Sequence, residues 1–120
     1  MLDSNSAAER KHDQEQSRSA EAIAAYLPKA LEDVVDRVMR GERVPKSGRP
    51  AIDLEDFFDQ DISLGEQTQW LKRLITSPEP QQTLYEFRNL IERRLRVHLE
   101  GSEIVRERAA DMAKEAEEEA

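Results

Sequence analysis

Leu84–Lys114 is the longest periodic stretch of this chain, and it constrains the fold most. It reads as one helix, or as two helices joined at Gly101. Leu84, Phe87, Ile91, Leu95 and Leu99 recur at helical spacing and form one apolar stripe. Leu90, Val97 and Ile104, each seven residues from the next, form a second stripe roughly opposite the first. Between them Arg88, Glu92 and Arg96 make a charge ladder worth about 0.3–0.5 kcal/mol per pair. A helix that is apolar on two sides either sits centrally in a bundle or meets a second chain. Leu90, Val97 and Ile104 are therefore expected to contact a partner, and the chain is expected to be a dimer or higher oligomer. Beyond Gly101 the apolar positions are mostly small: Ala109, Ala110, Met112, Ala113 and Ala116. The final EAEEEA puts acids where the helix dipole favours cations. Residues 107–120 are expected to form an acidic, Ala/Glu-rich helical tail suited to projecting or to optional contact, with its last six residues fraying into solvent.

Upstream, Ile23, Leu27, Ala30, Leu31, Val34 and Val38 carry a second helical pattern. Pro28 interrupts it, so the spacing predicts either two helices, over 19–27 and 29–40, or one helix kinked at the proline. Residues 1–18 mix Ser, Asn, Gln and both charges with almost nothing to bury, and are expected to be a flexible, disordered arm. After Gly41 comes a loop with two prolines and two glycines over residues 41–50. Asp53 is placed to cap a short helix over 54–59, and a further helix is expected over 66–76, with Trp70, Leu71, Leu74 and Ile75 along one side. Ser77 is a candidate N-cap for the long element, with Pro78 or Pro80 in its first turn. No alternating pattern suggests a sheet. The expected fold is an all-α bundle of about four to five helices, with its domain over 19–106.

Composition limits what such a bundle does. Of 120 residues, 38% are hydrophobic and 37% charged, against about 45–50% and 25% in average globular domains. The core is therefore thin, and a partner is expected to complete it. The net charge of −8 disfavours non-specific binding to nucleic acid or a membrane surface. No cysteine is present, which removes disulfides, thiolate chemistry and sulfur metal sites and favours a reducing compartment. The N-terminal MLDSNSAAERKHDQEQ has no apolar signal-peptide core, and no apolar run is long enough to span a bilayer. A cytoplasmic protein without membrane contact is expected.

Catalysis is hard to build from these residues. His12 lies in the arm and His98 near an apolar helix face, no serine sits in a recognisable nucleophile elbow, and the four glycines form no phosphate loop. No enzyme activity and no cofactor are expected. Asp53, Glu55, Asp56, Asp59 and Asp61 could ligate a hard cation, but they lack the glycine and terminal glutamate of a calcium loop, so no metal is expected. With Phe57 and Phe58 in their midst they read either as a solvated acidic turn whose apolar residues dock on the bundle, or as an acidic–aromatic segment that docks on a partner through Phe57, Phe58, Asp56 and Asp59.

The sharpest local feature is basic. Arg37, Arg40, Arg43, Lys46 and Arg49 fall at every third position, opposed only by Glu42. Lys46-Ser47-Gly48-Arg49-Pro50 resembles the core of an AT-hook, the short element that lays Gly-Arg-Pro in the DNA minor groove. The resemblance covers these five residues and implies that Arg49 would enter the groove while Lys46 and Arg43 contact phosphates.

Three function classes follow. The first is a non-catalytic protein-binding module: an adaptor, inhibitor or assembly or regulatory factor that presents apolar helix faces and an acidic surface. Such a surface can also imitate nucleic acid, as small phage or plasmid antagonists do. The second is a DNA-binding accessory or regulatory protein acting through residues 37–49. The third, a small enzyme, has least behind it. The first two divide on whether the basic residues are free or folded against Asp53–Asp61.

Overall fold

In a computed structural model the chain is all-α. The structure describes the backbone of residues 2–119 and the side chains of residues 19–119. The flexible arm expected over 1–18 lies outside the residues described in side-chain detail. Five helices follow one another: α1 (Leu2–Met39), α2 (Leu54–Asp61), α3 (Leu64–Thr76), α4 (Pro80–Leu99) and α5 (Glu103–Glu119). Among the described residues there is no strand, only one antiparallel bridge between Val44 and Ile52.

α1 is one continuous helix with Pro28 inside it. A mid-helix proline deprives the carbonyl four residues back of its donor, which here is that of Ala24. Both Ala24 and Pro28 are exposed, so water can take that bond. The next turns hold the most deeply buried residues of α1: Ala30, Val34, Val35 and Val38.

The long element breaks at Gly101, whose φ of 73° is a left-handed conformation that ends α4. α5 then turns back and does not project. It packs along α1 more extensively than any other pair of helices does, burying Val105, Ala109 and Ala113. The contact is thus a main part of the packing and not an optional one, while Glu115 and Glu117–Glu119 stay exposed. Alanines contribute little area each, but Ala30 and Ala109 are wholly buried, and short side chains let two helix backbones approach closely. Leu27 and Pro28 lie by the Gly101 turn, and further along both helices Arg108 bonds Asp33 at 3.0 Å, so α1 and α5 run in the same sense. α4 runs against α1, with Arg96 bonding Glu32 and Ile91 lying by Gly41.

The core is therefore the meeting of α1, α5 and the second half of α4, with Phe57 of α2 inserted and Val44 and Ile52 closing one end. Of the second α4 stripe, Ile104 packs against this core from α5, whereas Leu90 is half-buried and Val97 exposed. Two ion pairs bind the framework: Glu32–Arg96, where the hydrogen bonds of the guanidinium hold the Glu32 carboxyl below its usual range, and Asp33–Arg108. Burial opposes the charge of Arg108, but the bond to Asp33 and the attraction of Asp33 and Glu115 outweigh it and raise its pKa.

α2 starts at Asp53, whose carboxylate accepts the Asp56 N–H at 2.8 Å as expected of an N-cap. α3 starts earlier than the spacing suggests. Ser63 Oγ accepts the Glu66 N–H (3.2 Å) and Glu66 Oε2 accepts the Ser63 N–H (3.1 Å), a capping box that places Leu64 and Gly65 in the first turn. Ser77 does not cap α4. Glu79 occupies that position and Pro80 follows, while the Ser77 hydroxyl accepts the Glu79 N–H and meets Thr83 Oγ1 at 3.1 Å. That contact satisfies the only buried polar side chain among the described residues.

Candidate functional site

α3 packs on α4 alone among the helices in any extended way, and none of its thirteen residues is buried. The two run antiparallel. Glu66 pairs with Arg94, Trp70 stacks on Phe87 with ring centroids 4.9 Å apart, and Arg73 bonds Glu86 at 2.7 Å. Arg73 also lies over the Trp70 ring at 4.3 Å, and Phe58 meets Phe87 edge-on. These contacts use one side of α3. Leu64, Leu71 and Ile75 lie on another, within about 40° of one another by helical geometry, and are 79%, 56% and 75% exposed.

α4 shows the same thing from the other side of the hairpin. Leu84, Ile91 and Leu95 belong to one stripe, yet Leu95 is wholly buried and Leu84 is 52% exposed. α4 outruns the helices that cover it. The outer end of the hairpin therefore leaves Leu71, Ile75, Leu84 and Tyr85 open to water. Charge is scarce on that side of α3. Of its three charged residues, Glu66 and Arg73 pair with α4, leaving Lys72. Scattered exposed leucines are ordinary, but an apolar, charge-poor helix face in a chain that is 37% charged is the composition of an interface centre.

The hairpin is held in place electrostatically at its inner end. Arg94 donates to both carboxylate oxygens of Glu66, at 3.0 and 2.5 Å, and lies 3.8 Å from Asp61. The Arg94 bonds, followed by the Ser63 N–H, lower the Glu66 carboxyl to about 2. Beside this pair a groove of about 680 Å³ runs past Leu90, Arg93, Val97 and His98. Leu90 and Val97, expected as partner contacts, thus line an open groove. The His98 ring packs against Phe57 with centroids 5.4 Å apart.

The other expected site residues divide. Phe57 is buried in the core and Phe58 half-buried in the aromatic cluster, so neither offers a free face, while Asp56 and Asp59 are exposed. Arg37 pairs with Asp33 and Glu42, and Arg40 with Asp36 and Glu42. Arg43 turns inward and donates to the carbonyls of Pro45, Lys46 and Gly48, each at 2.8 Å. Reciprocal 2.8 Å bonds between Val44 and Ile52 close the loop, so residues 45–51 fold as a compact turn rather than an extended strand. Arg43 and Arg49 line a common pocket with Asp53 and Asp56, but among the described residues none of the basic residues pairs with Asp53–Asp61: three are held locally, and Lys46 and Arg49 make no ion pair.

No family model, curated protein or solved structure matches this chain. Among the described residues no group of three or more His, Asp or Glu side chains gathers as metal ligands would, and no helix is long and apolar enough to cross a membrane. In the sequence Trp70, Leu71, Leu74 and Ile75 read as one side of a helix, although Trp70 and Ile75 point more than a third of a turn apart, and the face that includes Leu64 is not evident. The signal that separates them is the Ser63-x-x-Glu66 capping box, which moves the helix start to Leu64 and brings Leu64 into line with Leu71 and Ile75.

Proposed function

We propose that this protein is a non-catalytic protein-binding module whose docking surface is the outer face of the α3–α4 hairpin. One observation carries the reading: α3 is an amphipathic helix with no buried residue, and its apolar stripe faces water. A thirteen-residue helix is short of what holds by itself in water. The contacts with α4 position this one, while most of the surface of Leu64, Leu71 and Ile75 stays in water. Docking an apolar surface of another chain there would bury side chains worth about 1.5–3 kcal/mol each when fully covered. A charge-poor face suits an apolar protein surface and not a phosphate backbone, which would require neutralising cations.

The DNA-contact reading through Arg37, Arg40, Arg43, Lys46 and Arg49 has less behind it. Its central cation, Arg43, is engaged by carbonyls of its own loop, and Arg37 and Arg40 sit among carboxylates. Affinity capture from the source cells, with and without nuclease, separates the two. The expected result is protein recovered regardless of nuclease and lost with a Leu71→Glu/Ile75→Glu variant. Recovery of nucleic acid that depends on Lys46 and Arg49 would contradict the proposal.

A further inference from the structure

We infer that the partner docked on α3 is a second copy of this chain, paired antiparallel about a twofold axis near Thr68 and Leu71; the inference rests on the docking surface proposed above. Two observations favour this occupant over others. The first is spacing. In an antiparallel pair Leu64 of each copy lies opposite Ile75 of the other, and Leu71 lies opposite Thr68, so the stripe is complementary to its own reverse.

The second is charge. A twofold contact sets a surface against itself, so any net charge on it meets a like charge. In a chain of net charge −8, the α3 stripe has only Lys72 beside it. Two copies can therefore approach here without the repulsion they would meet through the acidic α5 terminus. The chain's own residues 1–18 are no substitute occupant, since MLDSNSAAERKHDQEQSR offers almost no apolar side chain to set against the stripe.

The absence of cysteine makes a direct test available. A single Thr68→Cys in the full chain sits beside the proposed axis, and Glu107→Cys on the exposed side of α5 is its control. Under mild oxidation Thr68→Cys should form a disulfide-linked dimer far faster than Glu107→Cys. Adding Leu71→Glu should weaken the association by at least about tenfold, by placing an unpaired charge in the contact. In sedimentation the wild type should be a dimer at micromolar concentration and the Leu71→Glu variant a folded monomer. A wild-type monomer throughout that range, with Thr68→Cys oxidising no faster than its control, overturns the inference. Crosslinking from position 68 in the source cells then tells the two readings apart. An adduct with a different protein, lost on Leu71→Glu, overturns the second copy and leaves the docking surface standing. No adduct of either kind overturns both.

Discussion

The two ends of α4 belong to one helix and carry one apolar stripe, yet they live in different molecules in energetic terms. From Ile91 to Leu99 the stripe is enclosed by α1, α5 and α2. At Leu84 it meets water, and the helix beside it, α3, has no fully buried residue. The difference is one of cover rather than residue type: leucines and isoleucines occur in both regions. The inner region accounts for the fold, and the outer hairpin carries apolar surface for which the fold has no use.

Substitutions should expose this contrast in order of size. The largest effect is expected from Leu95→Ala, which empties a wholly buried site and should cost about 2–5 kcal/mol in denaturant unfolding. Ala109→Leu should cost about 1–3 kcal/mol by overpacking the α1–α5 contact, and a neutral result would make that contact an optional one. Ser63→Ala should cost about 1 kcal/mol through the lost cap, with the loss confined to α3. The smallest effect is expected from Leu71→Glu, whose stability in dilute solution should stay within about 0.5 kcal/mol of wild type while self-association is lost. A cost comparable to that of Leu95→Ala would mean that the stripe belongs to the core after all.

Acid should separate the regions too. Glu66 titrates at about 2 in the folded chain against an ordinary 4.5, so its bonds to Arg94 and Ser63 stabilise fully above the ordinary value and are lost as pH falls from there toward 2. Helicity should therefore fall over that window, beginning in α3. Glu66→Gln should remove that part of the acid response, and an unchanged acid profile would contradict the role given to Glu66.

Much of the fold was legible in the sequence. The cap at Asp53, the all-α class and the stripe through Ile91, Leu95 and Leu99 follow from local rules that the structure obeys, whereas Gly101 permits one helix or two and its left-handed φ shows the break. What was misread required tertiary knowledge. Residues of α5 looked weak because alanines carry little hydrophobic area, and only the close approach of α1 makes them core. Pro28 permits either a break or a continuous helix, and the burial of Ala30 and Val34 just beyond it goes with continuity. The basic loop looked like an extended contact arm because no sequence rule foretells that Arg43 donates to the carbonyls of its own turn. The exposed α3 stripe is half visible in the sequence: Leu71 and Ile75 are plainly apolar, but which side of α3 meets α4 depends on Glu66, Trp70 and Arg73 finding Arg94, Phe87 and Glu86.

The most direct test of the central claim is amide hydrogen exchange followed helix by helix as a function of protein concentration. The amides of α3 should exchange faster than those of α1 and α5 in dilute solution and slow as concentration rises, while α1 and α5 stay unchanged. Protection of α3 equal to that around Val34 and Leu95, and independent of concentration, would contradict the claim that its outer face waits for another chain.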